Sequence, residues 1–443
     1  MSSNSMYANY EVVAVKWLLA MVVLVILVTV HAYADNGATY VDNVASEKRL
    51  KSDNSMVSLL SELLESSPSV KSNLLRIESA VQSHSDSQWL KYPTPSFSIS
   101  GNPDNNDDDT ILSLNQPVWT GGRITNTIHV EKSNIVIAQS ELNQAKLDIA
   151  YDFIDVLGNW IASKARLNSY LSASVIYDEL HDTIMRRVDL GVSPSADSLL
   201  IDSRIRNLNN DIAKEENQLV IEVRRISNQL GRIVSITDME LYGFSEPLTV
   251  MPSRKHISLD ELYLFILDHP AIQVLNNEID KLELEYKKQK SEIWPTLSVE
   301  LRHTNQRRAG LRENDTALFI NLESSWGAGL SSLSAHEKIL TEIEALKNDR
   351  LFQIQNLEST YANELLINEL AVIQIDNVKR SIESSQKVYE SYKRQYMAGK
   401  KTWLELLNAV QEIVRYENEL GELLATMFIT GWKLELLQSK GYQ

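Results

Sequence analysis

The 443-residue chain contains no cysteine. Disulfides and thiolate metal sites are therefore excluded, as is the thiol on which a bacterial lipoprotein would carry its lipid. Proline is missing over a long stretch. Between Gly122 and Gly191 lie 68 residues with no proline and a single glycine, Gly158. That stretch also lacks the run of about 20 consecutive apolar residues that a membrane helix needs. Basic excess is absent: the net charge is −16. Nucleic acid, which requires a basic stripe to displace counterions, is not an expected partner.

Signatures of bound-cofactor chemistry are also missing. The eight histidines are scattered without an H-E-x-x-H spacing, and no P-loop or Rossmann glycine pattern occurs. No cofactor, metal-ligating residue or catalytic residue is expected, and the chain does not read as an enzyme. Glu215-Glu216 reads as a solvated helix face. Asp107-Asp108-Asp109 reads as a solvated loop, with calcium binding as the alternative.

What is present is helix of unusual length. A helix filling the interval from Gly122 to Gly191 would span about 100 Å, so it must pack side by side with others, coiled-coil fashion. A second helix follows the breaker Gly191-Val192-Ser193-Pro194-Ser195, with Ile201, Ile205, Leu208, Ile212, Leu219, Val223, Ile226 and Leu230 at heptad steps. Upstream, Phe97 and Ile99 alternate with serines, and Leu112, Leu114, Gln116 and Val118 alternate with Ser113, Asn115 and Pro117. This is a hairpin, closed by the acidic turn 101–109.

The pattern then repeats. Pro270 stands 202 residues after Pro68, and Pro295 stands 202 after Pro93. Gly399 lies 208 after Gly191, and Glu405 lies 208 after Asp197. A duplicated unit of helix, hairpin, long helix, tight turn and long helix is expected. The first repeat covers 35–231, with strands at about 94–100 and 111–119 and long helices at about 122–190 and 196–230. A linker covers 232–258. The second repeat covers 259–443, with strands at about 296–304 and 316–326 and long helices at about 329–398 and 402–438. Residues 1–34 read as a signal peptide: the apolar run Trp17 to Val30 follows Lys16 and precedes the cleavage pattern Ala32-Tyr33-Ala34. A retained anchor is the alternative.

Each strand has one apolar and one polar face, the pattern of a transmembrane β-barrel. Leu297, Val299, Leu301, Leu318, Ile320 and Leu322 are expected toward lipid, and Ser298, Glu300, Arg302, Asn321 and Glu323 toward the lumen. Barrels of about eight strands only fill with side chains, so a chain with four strands must pool them with other copies. Three copies would give twelve. The competing reading is a periplasmic coiled-coil scaffold or adaptor, with the hairpins covering the ends of a helical bundle.

The order of these parts, with Asn115-Gln116-Pro117-Val118-Trp119-Thr120-Gly121-Gly122-Arg123 at the strand-to-helix junction and Tyr396-Met397-Ala398-Gly399-Lys400-Lys401-Thr402-Trp403-Leu404-Glu405 at the second tip, resembles the TolC-like outer membrane efflux proteins. The resemblance covers about residues 55–440. It implies a mainly α fold with a β-barrel portion: a homotrimer with a twelve-stranded outer membrane barrel, continuous with a twelve-helix periplasmic tunnel. An adaptor protein would dock it to an inner membrane pump. The junction sequence and the missing lipid site resemble the type I secretion, adhesin-exporting branch, whose pump is an ABC transporter; multidrug efflux with another pump is the alternative. The resemblance also implies a gate at the helix tips, mapping to Tyr396 and Lys401 with the acids Asp197 and Glu405. Two positions depart from the family pattern. Lys401 replaces an arginine, losing its bidentate fork, and Asn408 stands where a second acid would be.

Overall fold

The computed structural model describes residues 55–102, 107–241, 258–308, 311–325, 327 and 335–438. The chain divides into a unit of residues 1–58, described only over 55–58, and a unit of residues 59–443, to which everything below refers. The signal segment, the tip of the acidic turn and residues 242–257 of the linker lie outside the described residues.

The first half runs through α1 (Ser55–Ser66), α2 (Pro68–Gln88), β1 (Thr94–Asn102), β2 (Asp107–Trp119), α3 (Arg123–Asp189) and α4 (Ser195–Leu230). After the short α5 (Ile236–Leu241), the second half follows with α6 (Leu259–Leu267), α7 (Pro270–Ser291), β3 (Thr296–Arg308), β4 (Leu311–Glu323), α8 (Ala335–Met397) and α9 (Trp403–Gln438). Both α2 and α7 open on a proline, whose missing N–H and fixed φ suit the first helical turn. Each is capped by the side chain before it: Ser67 accepts the Val70 amide and His269 accepts the Ala271 amide.

The long α3 packs on α2, α4, α7 and α9, and α8 packs on α6, α7 and α9. On α4, positions 201, 208, 215 and 222 form one buried heptad line, occupied by Ile201, Leu208, Glu215 and Glu222. Glu215 thus departs from its expected solvated face. Its heptad position turns it inward, where Arg166 of α3 donates to it at 3.0 Å, and only Glu216 remains exposed. Glu222 accepts from Gln218 at 2.6 Å and from Arg225 at 3.4 Å.

Close approach of α3 and α9 depends on two small residues. A methyl group on Gly421 would collide with the Ala165 methyl, which has no rotamer to escape into. A methyl on Gly158 would meet Cγ1 and Cδ1 of Ile429, a side chain that is only partly buried and yields by a change of rotamer. Helix propensity alone would favour alanine at either site by about 1 kcal/mol. Gly421→Ala is therefore expected to lower stability by about 1–3 kcal/mol through overpacking, with Gly158→Ala within about 1 kcal/mol of wild type. Thermal unfolding of the two variants side by side checks this, and equal losses would mean a looser α3–α9 contact.

A buried polar chain joins α3, α8 and α9 to the start of α7. His269 Nε2 lies 3.3 Å from the Tyr361 hydroxyl, which lies 2.5 Å from the Tyr151 hydroxyl; Tyr151 in turn donates to the Lys433 carbonyl at 3.4 Å. Because His269 Nδ1 accepts the Ala271 amide, its proton sits on Nε2 and each hydroxyl donates onward. Burial pushes the His269 imidazole down to about 4 and both tyrosine hydroxyls up, Tyr361 to about 12.

Candidate functional site

Two places stand out: the sheet and the pair of helix turns between α3 and α4 and between α8 and α9. The four strands form one antiparallel sheet in the order β1-β2-β3-β4, so the hairpins of the two halves join through β2 and β3. Edge strands β1 and β4 each have a single neighbour. The register aligns Leu114, Leu301 and Leu318 in one row and Phe97, Leu112 and His303 in another, all on the same face. This face is open in the single chain: Leu318 is 67% exposed, Ile320 73% and Leu322 69%.

All five residues expected toward the lumen occupy the opposite face. Three of them are brought together. Arg302 donates to both Glu300 oxygens at 3.0 Å, and Asn321 donates to Glu300 at 3.2 Å. Ser298 and Glu323 lie outside this cluster, nearer the helix end of the sheet. Phe319 also falls on the polar face, where the Arg302 guanidinium covers its ring at 4.8 Å. The strands continue past the point where apolar alternation stops, because backbone pairing runs on through polar side chains. β3 reaches Arg308 and β4 begins at Leu311, so most of the interval 305–315 between the expected strands is ladder.

At the helix end of the sheet the aromatic residues gather. Trp119 and Trp294 meet edge to face with centroids 6.3 Å apart, and Trp89 and Tyr92 meet at 5.5 Å. All four are 44–58% exposed. A register shift between Pro117 and Trp119 re-aims the end of β2 there.

The two helix tips share one geometry. Val192 N–H bonds to the Arg187 carbonyl and Gly191 N–H to that of Val188; Lys400 N–H bonds to the Gln395 carbonyl and Gly399 N–H to that of Tyr396. Both are Schellman closures, with Gly191 at φ 70° and Gly399 at φ 72°, a left-handed conformation that costs glycine little. Around the second turn, Lys401 donates to Glu405 at 2.5 Å and its ammonium lies 4.6 Å from the Tyr392 ring centroid. Glu405 also accepts the Thr402 amide and hydroxyl at 2.9 Å, while the Thr402 hydroxyl accepts the Glu405 amide: a capping box for α9. The Lys401 ammonium, followed by these Thr402 bonds, holds the Glu405 carboxyl down at about 2.

Tyr396 sits apart from that pair. Its ring is buried in the tip core with Leu406 and Ile184, under the Arg187 guanidinium at 5.0 Å. Burial, offset by the Arg187 charge and reinforced by that of Asp197, raises its hydroxyl. That hydroxyl has no hydrogen-bond partner among the described residues. The structure therefore joins Lys401 directly to Glu405, while Tyr396 lies under Arg187 and within reach of the Asp197 charge without a hydrogen bond to either. Sequence reading passed over Arg187, Tyr392 and Thr402. Thr402-x-x-Glu405 is a legible cap signature, and Arg186-Arg187 in the last turn of α3 complements the helix dipole.

Among the described residues, no group of three or more histidines or carboxylates is placed to hold a metal ion. No described helix is long and apolar enough to cross a membrane.

Residues 59–232 match the outer membrane efflux protein family. No curated protein matches the sequence. The fold is similar to that of CusC, at 16% identity over 87% of this chain and 92% of that one, with a TM-score of 0.73. It is similar to VceC of Vibrio cholerae, at 12% identity over 88% and 97%, with a TM-score of 0.69. The open state of the MtrE outer membrane channel of Neisseria gonorrhoeae matches at 12% identity over 85% and 88%, with a TM-score of 0.67. At such identities these likenesses establish the fold, and the family match itself is confined to residues 59–232. Residues 59–232 thus carry the pattern of the outer membrane efflux proteins, and the chain has the fold of the outer membrane channels it is similar to.

Proposed function

We propose that three copies of the chain close their sheets into one twelve-stranded barrel, and that α3, α4, α8 and α9 of each copy line a tunnel beneath it. Cargo moves passively through this duct. The observation that carries the reading is the sheet: apolar on one face, polar on the other, and unpaired at both β1 and β4. In lipid each unpaired backbone group costs several kcal/mol, so open edges must be closed by neighbouring copies. The polar face, with Glu300, Arg302 and Asn321, then lines the lumen.

Energy comes from an inner membrane ABC transporter reached through a periplasmic adaptor, in a type I secretion system. The junction sequence and the absence of an acylatable cysteine support this branch over multidrug efflux. The tip turns form the resting gate, with Tyr396, Lys401, Asp197 and Glu405 restraining the helices. Exposed pairs are worth about 0–1 kcal/mol each, but threefold symmetry repeats every one.

Full-length protein from outer membranes is expected to run as a heat-resistant trimer and to give small resting currents in planar bilayers. Tyr396→Phe with Lys401→Glu is expected to raise the resting conductance severalfold. Lys387→Gln, whose ion pair stays within its own helix at Glu383, should leave the current unchanged. A soluble species without conductance would refute the channel, and an unchanged double variant would place the gate elsewhere. In a deletion strain, loss of a secreted repeat-rich protein supports type I secretion; loss of drug tolerance alone points to multidrug efflux.

A further inference from the structure

Resting on the barrel reading above, we infer that the lipid-facing side of the sheet carries a binding site for a phosphorylated glycolipid headgroup, formed by Arg307 and Arg312. These arginines are direct partners across β3 and β4. Their parity puts both on the face that carries Leu301 and Leu318, not on the face of Glu300. Side chains directly opposite in an antiparallel pair have Cβ atoms about 5 Å apart, and like charges so placed destabilise the sheet.

One carboxylate on the neighbouring strand offsets part of that repulsion and leaves the group with a net positive charge. Asp108 stands opposite Arg307 on β2, yet neither arginine makes an ion pair or hydrogen bond among the described residues. A shared anion resolves the conflict. Two guanidinium forks converging from adjacent strands match the oxygens of a phosphate group, which each can grip bidentately.

The level of the pair selects the source of that phosphate. Leu301 is the last apolar residue of β3 on this face, and Arg307 lies six residues beyond it. That is about 20 Å of strand, or roughly 15 Å along the membrane normal at barrel tilt. On β1 the last apolar residue, Ile99, lies in the row of Asn305, so the arginines stand one row beyond the band at its furthest reach, at headgroup depth. Between band and arginines the face is polar on β3 and β4, where His303 bonds Thr316 at 2.7 Å and Asn305 pairs with Asn314; on β1 and β2 the band continues through Phe97, Leu112 and Ile99 and stops one row short of Arg307. Amides and an imidazole below a guanidinium pair suit a sugar carrying phosphate better than a simple phospholipid. Aromatic residues take the interfacial position at the helix end, Trp119 and Trp294 among them, so the two rims of the sheet face chemically different leaflets.

The test uses the full-length protein purified from outer membranes, offered diphosphorylated lipid A, fully dephosphorylated lipid A or inorganic phosphate. Bound lipid is read by native mass spectrometry, and membrane insertion by protease protection in vesicles. Wild type is expected to retain diphosphorylated lipid A at least tenfold more tightly than the dephosphorylated form. Arg307→Gln with Arg312→Gln should abolish that preference while inserting normally, and Lys91→Gln at the other end of the sheet should keep it. Normal insertion with an undiminished preference in the double variant overturns the site alone. Inorganic phosphate displacing the lipid at equal concentration overturns the lipid as its source. Failure of wild type to insert overturns the barrel reading and this inference with it.

Discussion

Leu318→Arg is expected to destabilise the membrane-inserted protein by about 2–4 kcal/mol, the cost of an arginine near the bilayer midplane on a lipid-facing strand. Leu318 shares its row with Leu114 and Leu301 and is 67% exposed in the single chain. No carboxylate in that row could compensate the new charge. Ser298→Arg introduces the same residue on the other face, beside Asn321 and within the neighbourhood of Glu300, and should change stability by less than about 1 kcal/mol. Denaturant titration in vesicles compares the two. Equal damage on both faces would show that the sheet does not divide lipid from water.

Acid sensitivity centred on His269 is the second large effect. Its folded pKa of about 4 lies below the ordinary 6.5, so the neutral imidazole favours folding. The contribution is complete above pH 6.5 and is lost as the pH falls toward 4, because the unfolded chain binds the proton first. The span corresponds to about 3 kcal/mol at roughly 1.4 kcal/mol per unit. Groups facing the network include Asp148 and Glu364, whose carboxyls burial raises, and the Lys433–Asp155 ion pair at 2.8 Å. The raised carboxyls act in the opposite sense, gaining stability as they protonate. For this reason the informative quantity is the difference between wild type and His269→Gln. Melting temperatures from pH 7.5 to 4.5 should fall more steeply for wild type, and parallel curves would mean that His269 is not held neutral.

Much of this arrangement was legible in the sequence because it follows from period and punctuation. The proline-free interval after Gly122 contains a 67-residue helix, and the alternation of Leu318, Ile320 and Leu322 lies on a strand. What escaped reading depended on partners distant in sequence. Glu215 looks solvated until the heptad turns it toward Arg166, and Tyr396 gives no local sign of the Arg187 that covers it 209 residues away. His269 precedes a proline-led helix much as Ser67 does, but its neutrality comes from burial that only the packed helices create, and its Tyr361 partner stands on another helix. Strand ends were not legible for a simpler reason: apolar alternation on β3 stops at Leu301, while backbone pairing continues to Arg308.

The two unpaired sheet edges have a genetic consequence. If β1 of one copy must zip onto β4 of the next, a protomer defective at either edge spoils the whole ring. Co-expressed in equal amount with wild type, such a variant would leave only about one-eighth of the three-copy assemblies intact. Edge lesions should therefore behave as dominant, whereas lesions that unfold the helices before assembly should be recessive.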